Sequence, residues 1–251
     1  MDFKCKQFSL NHSNSTMKVG TDSILLASVL NDYFSIELHS LTPSIDSVKK
    51  ILDVGTGCGI LALSMAQIFP YAQVYAIDID KNSIEESSSN FSLSKWKERM
   101  QAKQISFEQF SLQEEQTEKT KEQTFDLIVS NPPYFTNSLL SPNERRSNAR
   151  HNSSLSLEDF VLSSQRLSTQ NTKIALVLPL QESQKIESLY NAIGFHLELR
   201  YNVYPKENTE IKRVISLFSQ KASNTIEKKL VIRENNTYTA EYKTLTSAFL
   251  L

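Results

Sequence analysis

From Ile51 onward, short apolar runs alternate along the chain with amphipathic stretches of helical spacing. This alternation is typical of a parallel sheet whose strands are joined by crossover helices. It predicts strands near 50–54, 73–78, 104–109, 125–130 and 172–178, and helices near 59–69, 82–97, 156–167 and 182–193. Two more strand-like runs, 195–204 and 211–218, flank a turn-rich connector and predict an antiparallel pair that closes one edge of the sheet.

Other segments of the chain show other patterns of polar and apolar residues. Residues 1–20 are mildly basic and contain an alternating stretch that predicts a short edge strand. Apolar residues at helical spacing predict a helix from about Thr21 to Phe34, and a polar linker follows over 35–49. Residues 113–124 have no apolar side chain, so we expect a solvated loop or a frayed helix there. A last helix is predicted near 240–250.

The composition indicates a soluble globular protein, with 39% hydrophobic and 22% charged residues. The net charge is −1, so binding to a nucleic acid requires a local basic patch rather than the field of the whole molecule. Cys5 and Cys58 are too few for a disulfide framework and lack the spacing of a zinc site. We therefore expect free thiols in the cytoplasm. The chain has no run of about 18 apolar residues, and we expect it neither to be secreted nor to span a membrane.

A glycine-rich loop follows the first apolar run. Residues 51–59 read I-L-D-V-G-T-G-C-G and pass from a buried strand into an apolar helix, a context typical of nucleotide binding. Glycines let the loop turn sharply and let its backbone approach a ligand closely. A dinucleotide fold needs its third glycine where this chain has Ile60. The spacing D-x-G-x-G-x-G, which begins at Asp53, instead favours S-adenosylmethionine over NAD.

Two carboxylates accompany this loop. Asp78 ends the next predicted strand, about 20 residues past the glycines, at the separation where an acid accepts hydrogen bonds from a ribose hydroxyl pair. The alternative for Asp78 is an N-cap of the following helix, and Asp80 has a less suitable offset for the ribose. Asp53 either satisfies loop amides as a buried acid or, as we expect, lies near the positive sulfonium of the cofactor.

The residues Asn131, Pro132, Pro133 and Tyr134 directly follow the apolar run 125–129. The prolines end the strand, and Asn131 is held extended because it precedes a proline. An amide, free carbonyl oxygens and an aromatic ring are thereby held at the carboxyl end of a strand, where open α/β sheets bind ligands. Taken alone, the motif is equally compatible with an ordinary proline turn that carries a surface tyrosine.

In this order, the strand, glycine loop, acid and Asn-Pro-Pro-Tyr motif resemble the class I S-adenosylmethionine-dependent methyltransferases that methylate amino groups. The resemblance covers about 51–219 and implies a Rossmann-like α/β fold: a seven-stranded, mostly parallel sheet with one antiparallel edge strand and helices on both faces. More narrowly, the chain is similar to the bacterial enzymes that methylate N6 of the adenine beside the anticodon (position 37) of a valine tRNA. That likeness is carried by Met17–Leu26, Pro132–Phe135, Ala149–His151 followed by Leu155–Leu157, and the tail residues Leu230–Arg233, Tyr238 and Tyr242.

The resemblance implies a division of labour among the residues. The Asn131 side-chain oxygen and the Pro132 carbonyl accept the two hydrogens of the adenine amino group, and Tyr134 stacks on the base. The cofactor-binding residues implied are Asp53, Gly55, Thr56, Gly57, Asp78, Ser111 and Asn131. Ser111 is assigned as the residue that closes the third strand, where related enzymes often have an acid. No metal is needed, since the rate comes mainly from alignment.

Substrate contacts are expected from the catalytic loop and from a basic cluster beyond it. The residues concerned are Pro133, Tyr134, Arg145, Arg146, Arg150, His151 and Lys18. A cluster of this size is often only a solvated face, but its position beyond the catalytic loop favours contact with tRNA phosphates. His151 could act as a general base, although a structural or substrate-orienting role is preferred.

Three rival functions remain open. The protein-glutamine N5 methyltransferases also use Asn-Pro-Pro-Tyr, but they carry a longer N-terminal domain than the 1–49 extension expected to cap the site here. DNA adenine methylation is disfavoured, because we expect no separate target-recognition domain in this chain. A catalytically silent RNA-binding protein is the third. We expect a core over 50–220, a packed tail over 221–251, and a monomer or a dimer.

Overall fold

The computed structural model describes residues 2–13, 20–35, 44–116, 124–132, 155–222 and 224–250. The strands are β1 Asp2–Lys4, β2 Ser9–Asn11, β3 Lys50–Val54, β4 Gln73–Asp78, β5 Met100–Gln104, β6 Leu127–Ser130, β7 Lys173–Leu178, β8 His196–Lys206, β9 Arg213–Ser219, β10 Ile226–Glu234 and β11 Thr237–Tyr238. The helices are α1 Thr21–Ser35, α2 Ile60–Ile68, α3 Lys81–Leu93, α4 Phe107–Gln116, α5 Leu157–Arg166, α6 Leu180–Ala192 and α7 Ala240–Thr246, with 3₁₀ turns at Ile45–Ser47 and Lys97–Arg99.

Strands β3 to β11 form one sheet in the order β11-β10-β8-β9-β7-β6-β3-β4-β5. Strands β7, β6, β3, β4 and β5 run parallel to one another, and β10 is parallel to β8. Strand β9 is antiparallel to both β7 and β8. Helices cover both faces of this mostly parallel sheet, which confirms the predicted Rossmann-like α/β architecture.

Each face of the sheet has its own apolar core. Side chains alternate between faces along a strand, so that Leu127 and Val129 of β6 lie in one core and Ile128 in the other. The first core also receives α1, α2, α7 and the N-terminal hairpin of β1 and β2, whereas the second receives α4, α5 and α6. Strands that are buried on both faces explain why the central strands read as continuous apolar runs.

The sheet differs from the prediction in two ways. It has nine strands in the described part of the chain rather than seven, because the tail supplies β10 and β11 beyond β8. The antiparallel strand was expected at an edge, but β9 lies inside the sheet between β7 and β8. The described edges are instead the two-residue β11 and the polar β5.

The strand predicted near 104–109 was wrong. The strand is β5, which ends at Gln104, and α4 begins at Phe107. Phe107 and Phe110 are three positions apart and lie on the buried face of that helix, so their spacing is helical. Strand β5 escaped prediction because an edge strand buries little and its residues are mostly polar.

Helix α1 is held against the strands that come late in the chain. The Arg213 guanidinium Nε donates to Asp22 Oδ2 at 2.7 Å, and the Tyr201 hydroxyl donates to Asp32 Oδ2 at 3.0 Å. Ten residues of α1 are buried. No helix within the described residues has the length and apolar character needed to cross a membrane.

Candidate active site

The predicted site residues meet at the carboxyl ends of three neighbouring strands. Val54, the last residue of β3, pairs with Ser130 of β6 on one side and with Ile77 of β4 on the other. The glycine loop follows Val54, Asn131 follows Ser130, and Asp78 follows Ile77. The structure therefore brings together the three motifs that lie far apart in the sequence.

The glycine loop leaves an open surface above its backbone. Gly57 has φ +55°, a conformation that favours glycine, and a Cβ built there would meet no heavy atom within 4 Å. At Gly59, φ is +87° and a Cβ would come within 2.5 Å of the Phe91 ring. Gly57 thus faces open space, while Gly59 allows α3 to pack directly on the loop.

Asp78 binds the loop rather than capping a helix. Its Oδ2 accepts the Gly57 N–H and its Oδ1 accepts the Asp80 N–H, both at 2.9 Å. The N-cap of α3 is Asp80, whose Oδ2 accepts the Ser83 N–H at 2.9 Å. The alternative role of Asp78 as an N-cap is therefore wrong. Each Asp78 oxygen accepts one backbone hydrogen bond, and a carboxylate oxygen has a second acceptor position.

Asp53 is buried beneath the loop and is 1% exposed. Its Oδ2 accepts the Thr56 hydroxyl at 2.7 Å and the Ala62 N–H, in the first turn of α2, at 3.1 Å. Burial raises the pKa of Asp53 to about 7, against the opposing effect of these two hydrogen bonds. Asp53 thus fixes the loop to α2, and its predicted place beside a cofactor stays a prediction.

Asn131 is partly buried and is oriented by helix α1. Its Nδ2 donates to the Ser23 hydroxyl at 3.0 Å, whereas its Oδ1 accepts no hydrogen bond from the described residues. The preceding Ser130 hydroxyl donates to the Val54 carbonyl at 2.7 Å, which ties the ends of β6 and β3 together. Pro132 follows and is buried. The Asn131 amide therefore keeps its oxygen available as an acceptor.

Ser111 does not lie at a strand end. It is in α4, is fully buried, and donates its hydroxyl hydrogen to the Glu108 carbonyl at 2.9 Å. The residues that directly follow β5 are Ile105 and Ser106. The strand-end argument for Ser111 as a cofactor ligand is therefore wrong, and its contact with the cofactor stays a prediction.

The remaining predicted site residues lie outside the described residues. They are Lys18, Pro133, Tyr134, Arg145, Arg146, Arg150 and His151. Two residues that the sequence did not single out do contact the site: Ser23 through Asn131, and Asn90 through the glycine loop. Nothing local in the sequence marks Asn90, whose partner Cys58 is 32 positions away. Ser23 lies within the Met17–Leu26 segment that carries the family resemblance, but no role of its own was predicted for it.

The donor set fits S-adenosylmethionine. Gly57 provides an uncovered backbone with positive φ, and Asp78 provides a carboxylate with unused acceptor positions on the adjacent strand. Ile79, which is 49% exposed, adds an apolar surface directly after that acid. Among the described residues, no three His, Cys, Asp or Glu side chains are grouped so as to hold a metal ion.

Two solved structures with the same fold are described as methyltransferases. A S-adenosylmethionine-dependent methyltransferase from Agrobacterium tumefaciens superposes with a TM-score of 0.56 at 12% identity, over 88% of this chain and 70% of that chain. A predicted O-methyltransferase from the same organism gives a TM-score of 0.61 at 14% identity, over 90% and 96%. Residues 23–143 match the methyltransferase small domain. The fold and the site together define a class I methyltransferase.

Relatives that match almost the whole chain show which kind of methyltransferase it is. The tRNA1(Val) (adenine(37)-N6)-methyltransferase of Tolumonas auensis is 35% identical over 99% of this chain and 96% of its own length. Enzymes with the same name from Vibrio campbellii and Phocaeicola vulgatus are each 32% identical over 99% of this chain and at least 95% of theirs. The chain belongs to the tRNA1(Val) (adenine(37)-N6)-methyltransferase family.

Proposed function

We propose that this protein transfers a methyl group from S-adenosylmethionine to N6 of adenine 37 in a valine tRNA, in the cytoplasm. The observation that carries the proposal is the meeting of Asn131 with the glycine loop through the paired residues Ser130 and Val54. An amide acceptor for an amino group thereby lies beside a surface suited to the methyl donor. The relatives that match the chain over its full length bear the name of this reaction.

Asn131 overcomes the low nucleophilicity of an exocyclic amine. The lone pair of the adenine amino group is delocalised into the ring, and acceptors that bind both hydrogens favour a pyramidal nitrogen. Asn131 Oδ1 accepts one hydrogen and the Pro132 carbonyl accepts the other. The bond from Asn131 Nδ2 to Ser23 supports this role, because it directs the amide oxygen away from α1. Alignment of the reacting groups then supplies most of the rate.

The cofactor site uses the loop and the two neighbouring strand ends. The bound cofactor supplies an activated methyl group. Asp78 accepts hydrogen bonds from the ribose hydroxyls with the acceptor positions that Gly57 and Asp80 leave unused. The open surface over Gly55 and Gly57 admits close approach of the ligand to the backbone.

The tRNA side of the proposal concerns residues beyond the catalytic loop. Tyr134 stacks on the extruded adenine, and Arg145, Arg146 and Arg150 contact phosphates. An enzyme whose net charge is −1 needs such a local basic patch to hold RNA. We propose that the enzyme acts as a monomer.

The proposal is tested by mass spectrometry of nucleosides from valine tRNA in cells with and without the gene. Loss of N6-methyladenosine from that tRNA on deletion is the expected result. The purified protein should also methylate an unmodified valine tRNA transcript but not the same transcript with guanine at position 37. Methylation of a glutamine-containing protein instead, or no transfer to either substrate, would refute the proposal.

A further inference from the structure

Three successive residues of the glycine loop are held by three different neighbours. The Gly57 N–H is accepted by Asp78, and Gly59 lies against the Phe91 ring. Between them, the Cys58 carbonyl accepts a hydrogen bond from Asn90 Nδ2 at 2.8 Å. Asp78 is the expected cofactor ligand, whereas Asn90 has no part in the function proposed above.

Asn90 joins the loop to the N-terminal hairpin. Its Nδ2 also donates to the Asn11 carbonyl at 2.8 Å, and its Oδ1 accepts the Asn11 N–H at 2.9 Å. The side chain is 3% exposed, so these bonds replace water almost completely. All three partners are backbone groups, and removal of the amide would leave the buried Cys58 carbonyl without its donor, at a cost typical of unsatisfied polar groups.

We infer that Asn90 is a positioning residue for the cofactor site, through which the N-terminal hairpin sets the conformation of the glycine loop. The inference rests on the proposed function, since the loop is taken as the cofactor cradle. A cofactor that settles on Gly57 fixes the neighbouring Cys58 carbonyl, and Asn90 transmits that restraint to Asn11. By linkage, order in the hairpin in turn favours cofactor binding.

The hairpin has anchors that do not depend on Asn90. Phe8 and Leu10 are buried in the first core, and the Phe8 ring lies 5.8 Å from the Trp96 ring. The Lys6 N–H donates to the Phe249 carbonyl at 2.9 Å. Loss of the Asn90 amide therefore loosens the link between hairpin and loop without releasing the hairpin.

The first test measures S-adenosylmethionine affinity by calorimetry for wild type, Asn90→Ala and Asn90→Asp. Asn191→Ala is the matched control, because Asn191 is exposed on α6. We expect Kd to rise at least about fivefold in both Asn90 variants, given the cost of unsatisfied buried groups. At saturating cofactor, kcat should stay within about twofold of wild type. The Asp variant keeps an acceptor for the Asn11 N–H but opposes a carboxylate to two carbonyls, so it should bind more weakly than the Ala variant.

The second test needs no cofactor. Hydrogen exchange should accelerate in Asn90→Ala both at the Asn11 amide and at the amides of Gly57 and Gly59, with no change in Asn191→Ala. In wild type, added S-adenosylmethionine should slow exchange at Asn11, and this effect should vanish in Asn90→Ala. Unchanged cofactor affinity in a folded Asn90→Ala protein, or faster exchange confined to the hairpin, would overturn the inference. If wild type bound no S-adenosylmethionine, the proposed function would fail, while exchange in the free protein would still decide whether Asn90 links the hairpin to the loop.

Discussion

The two ends of the parallel strands use buried polar groups differently. At the amino end, Lys173 Nζ donates to Glu198 Oε2 at 2.5 Å, and the Tyr33 hydroxyl donates to the other oxygen of that carboxylate. Burial lowers the pKa of Lys173, and the Glu198 carboxylate opposes that shift. At the carboxyl end, Asp53, Asp78 and Asn131 bond to neutral groups. At the amino end the charged groups therefore pair with one another, whereas at the carboxyl end acceptor positions remain available for a ligand.

A comparison of two aspartates shows that residue type alone does not decide whether a side chain is structural or binds a ligand. Asp126, before β6, accepts the N–H groups of Lys49 and Lys50 on one oxygen, at 2.7 and 2.9 Å. Asp78 also accepts two backbone N–H groups, but one on each oxygen and beside a glycine of positive φ. Asp126 joins two strand beginnings, while Asp78 faces the open loop. Structural and ligand-binding roles should therefore be separable by mutation.

The largest effect is expected at the carboxyl end. Asn131→Ala removes the acceptor for the adenine amino group, and methyl transfer at saturating substrates should fall by about 10²–10³-fold, as for loss of one oriented catalytic hydrogen-bonding group. The Kd for S-adenosylmethionine should change by less than about threefold. Single-turnover assays and calorimetry measure the two quantities. Activity within a factor of a few of wild type would exclude Asn131 from the reaction.

The second prediction concerns the buried carboxylate of Asp53, which bonds to neutral groups, whereas the Glu198 carboxylate is paired with Lys173. Because the pKa of Asp53 is raised to about 7 in the folded protein, the protonated form favours folding. Its stabilising effect is complete below the unfolded pKa and is lost as pH rises from about 4 to about 7, with an upper bound of about 4 kcal/mol. Asp53→Asn should flatten this decline in urea denaturation between pH 4.5 and 7.5. An identical slope in wild type and variant would contradict the assignment.

The third effect belongs to the amino end. Lys173→Met leaves the Glu198 carboxylate buried without its cation and should lower the free energy of unfolding by about 3 kcal/mol. The double variant Lys173→Met with Glu198→Gln should recover much of that loss. Cofactor affinity should be unaltered in both, since the pair lies at the end of the sheet away from the loop. Denaturation and calorimetry on the same samples provide the check, and weaker cofactor binding in a folded variant would erase the contrast between the ends.

The smallest effect is a direct comparison of the two aspartates. Asp78→Ala should weaken S-adenosylmethionine binding about tenfold, roughly 1.4 kcal/mol, and should also lower Tm by a few degrees, because the Gly57 and Asp80 N–H groups lose their acceptor. Asp126→Ala should lower Tm by a similar amount for the same reason but should leave the Kd unchanged. If Asp78→Ala and Asp126→Ala have the same effect on the Kd for S-adenosylmethionine, the assignment of Asp78 to the ribose hydroxyls is refuted.

The central strands could be predicted from sequence because they are buried on both faces. The runs at β3, β4, β6 and β7 were located to within a few residues for this reason. Strands at or next to an edge carry no such signal: β5 exposes most of its residues, and β10, which lies beside the two-residue β11, mixes lysines with aliphatic residues. The insertion of β9 between β7 and β8 was not visible either, since hydrophobic pattern does not specify which strands are neighbours.

Within the site, the groups that carry a motif were predictable and the groups that support them were not. Asp78 and the glycines are recognisable by their spacing along the chain. Ser23 acts on Asn131 across 108 positions, and Asn90 acts on backbone atoms of Asn11, whose own side chain is irrelevant to the contact. Such support depends on tertiary geometry, and a single sequence does not reveal it.

The bonds between α1 and the late strands also set when the enzyme becomes complete during synthesis. Asp22 leaves the ribosome 191 positions ahead of its partner Arg213. At bacterial and eukaryotic elongation rates this interval is roughly 10–40 s. During that time the apolar face of α1, which later holds Ser23 against Asn131, has no β8 or β9 to cover it. We therefore expect the nascent chain to bind chaperones during this interval, and we expect methylation to begin only after the last strands have joined the sheet.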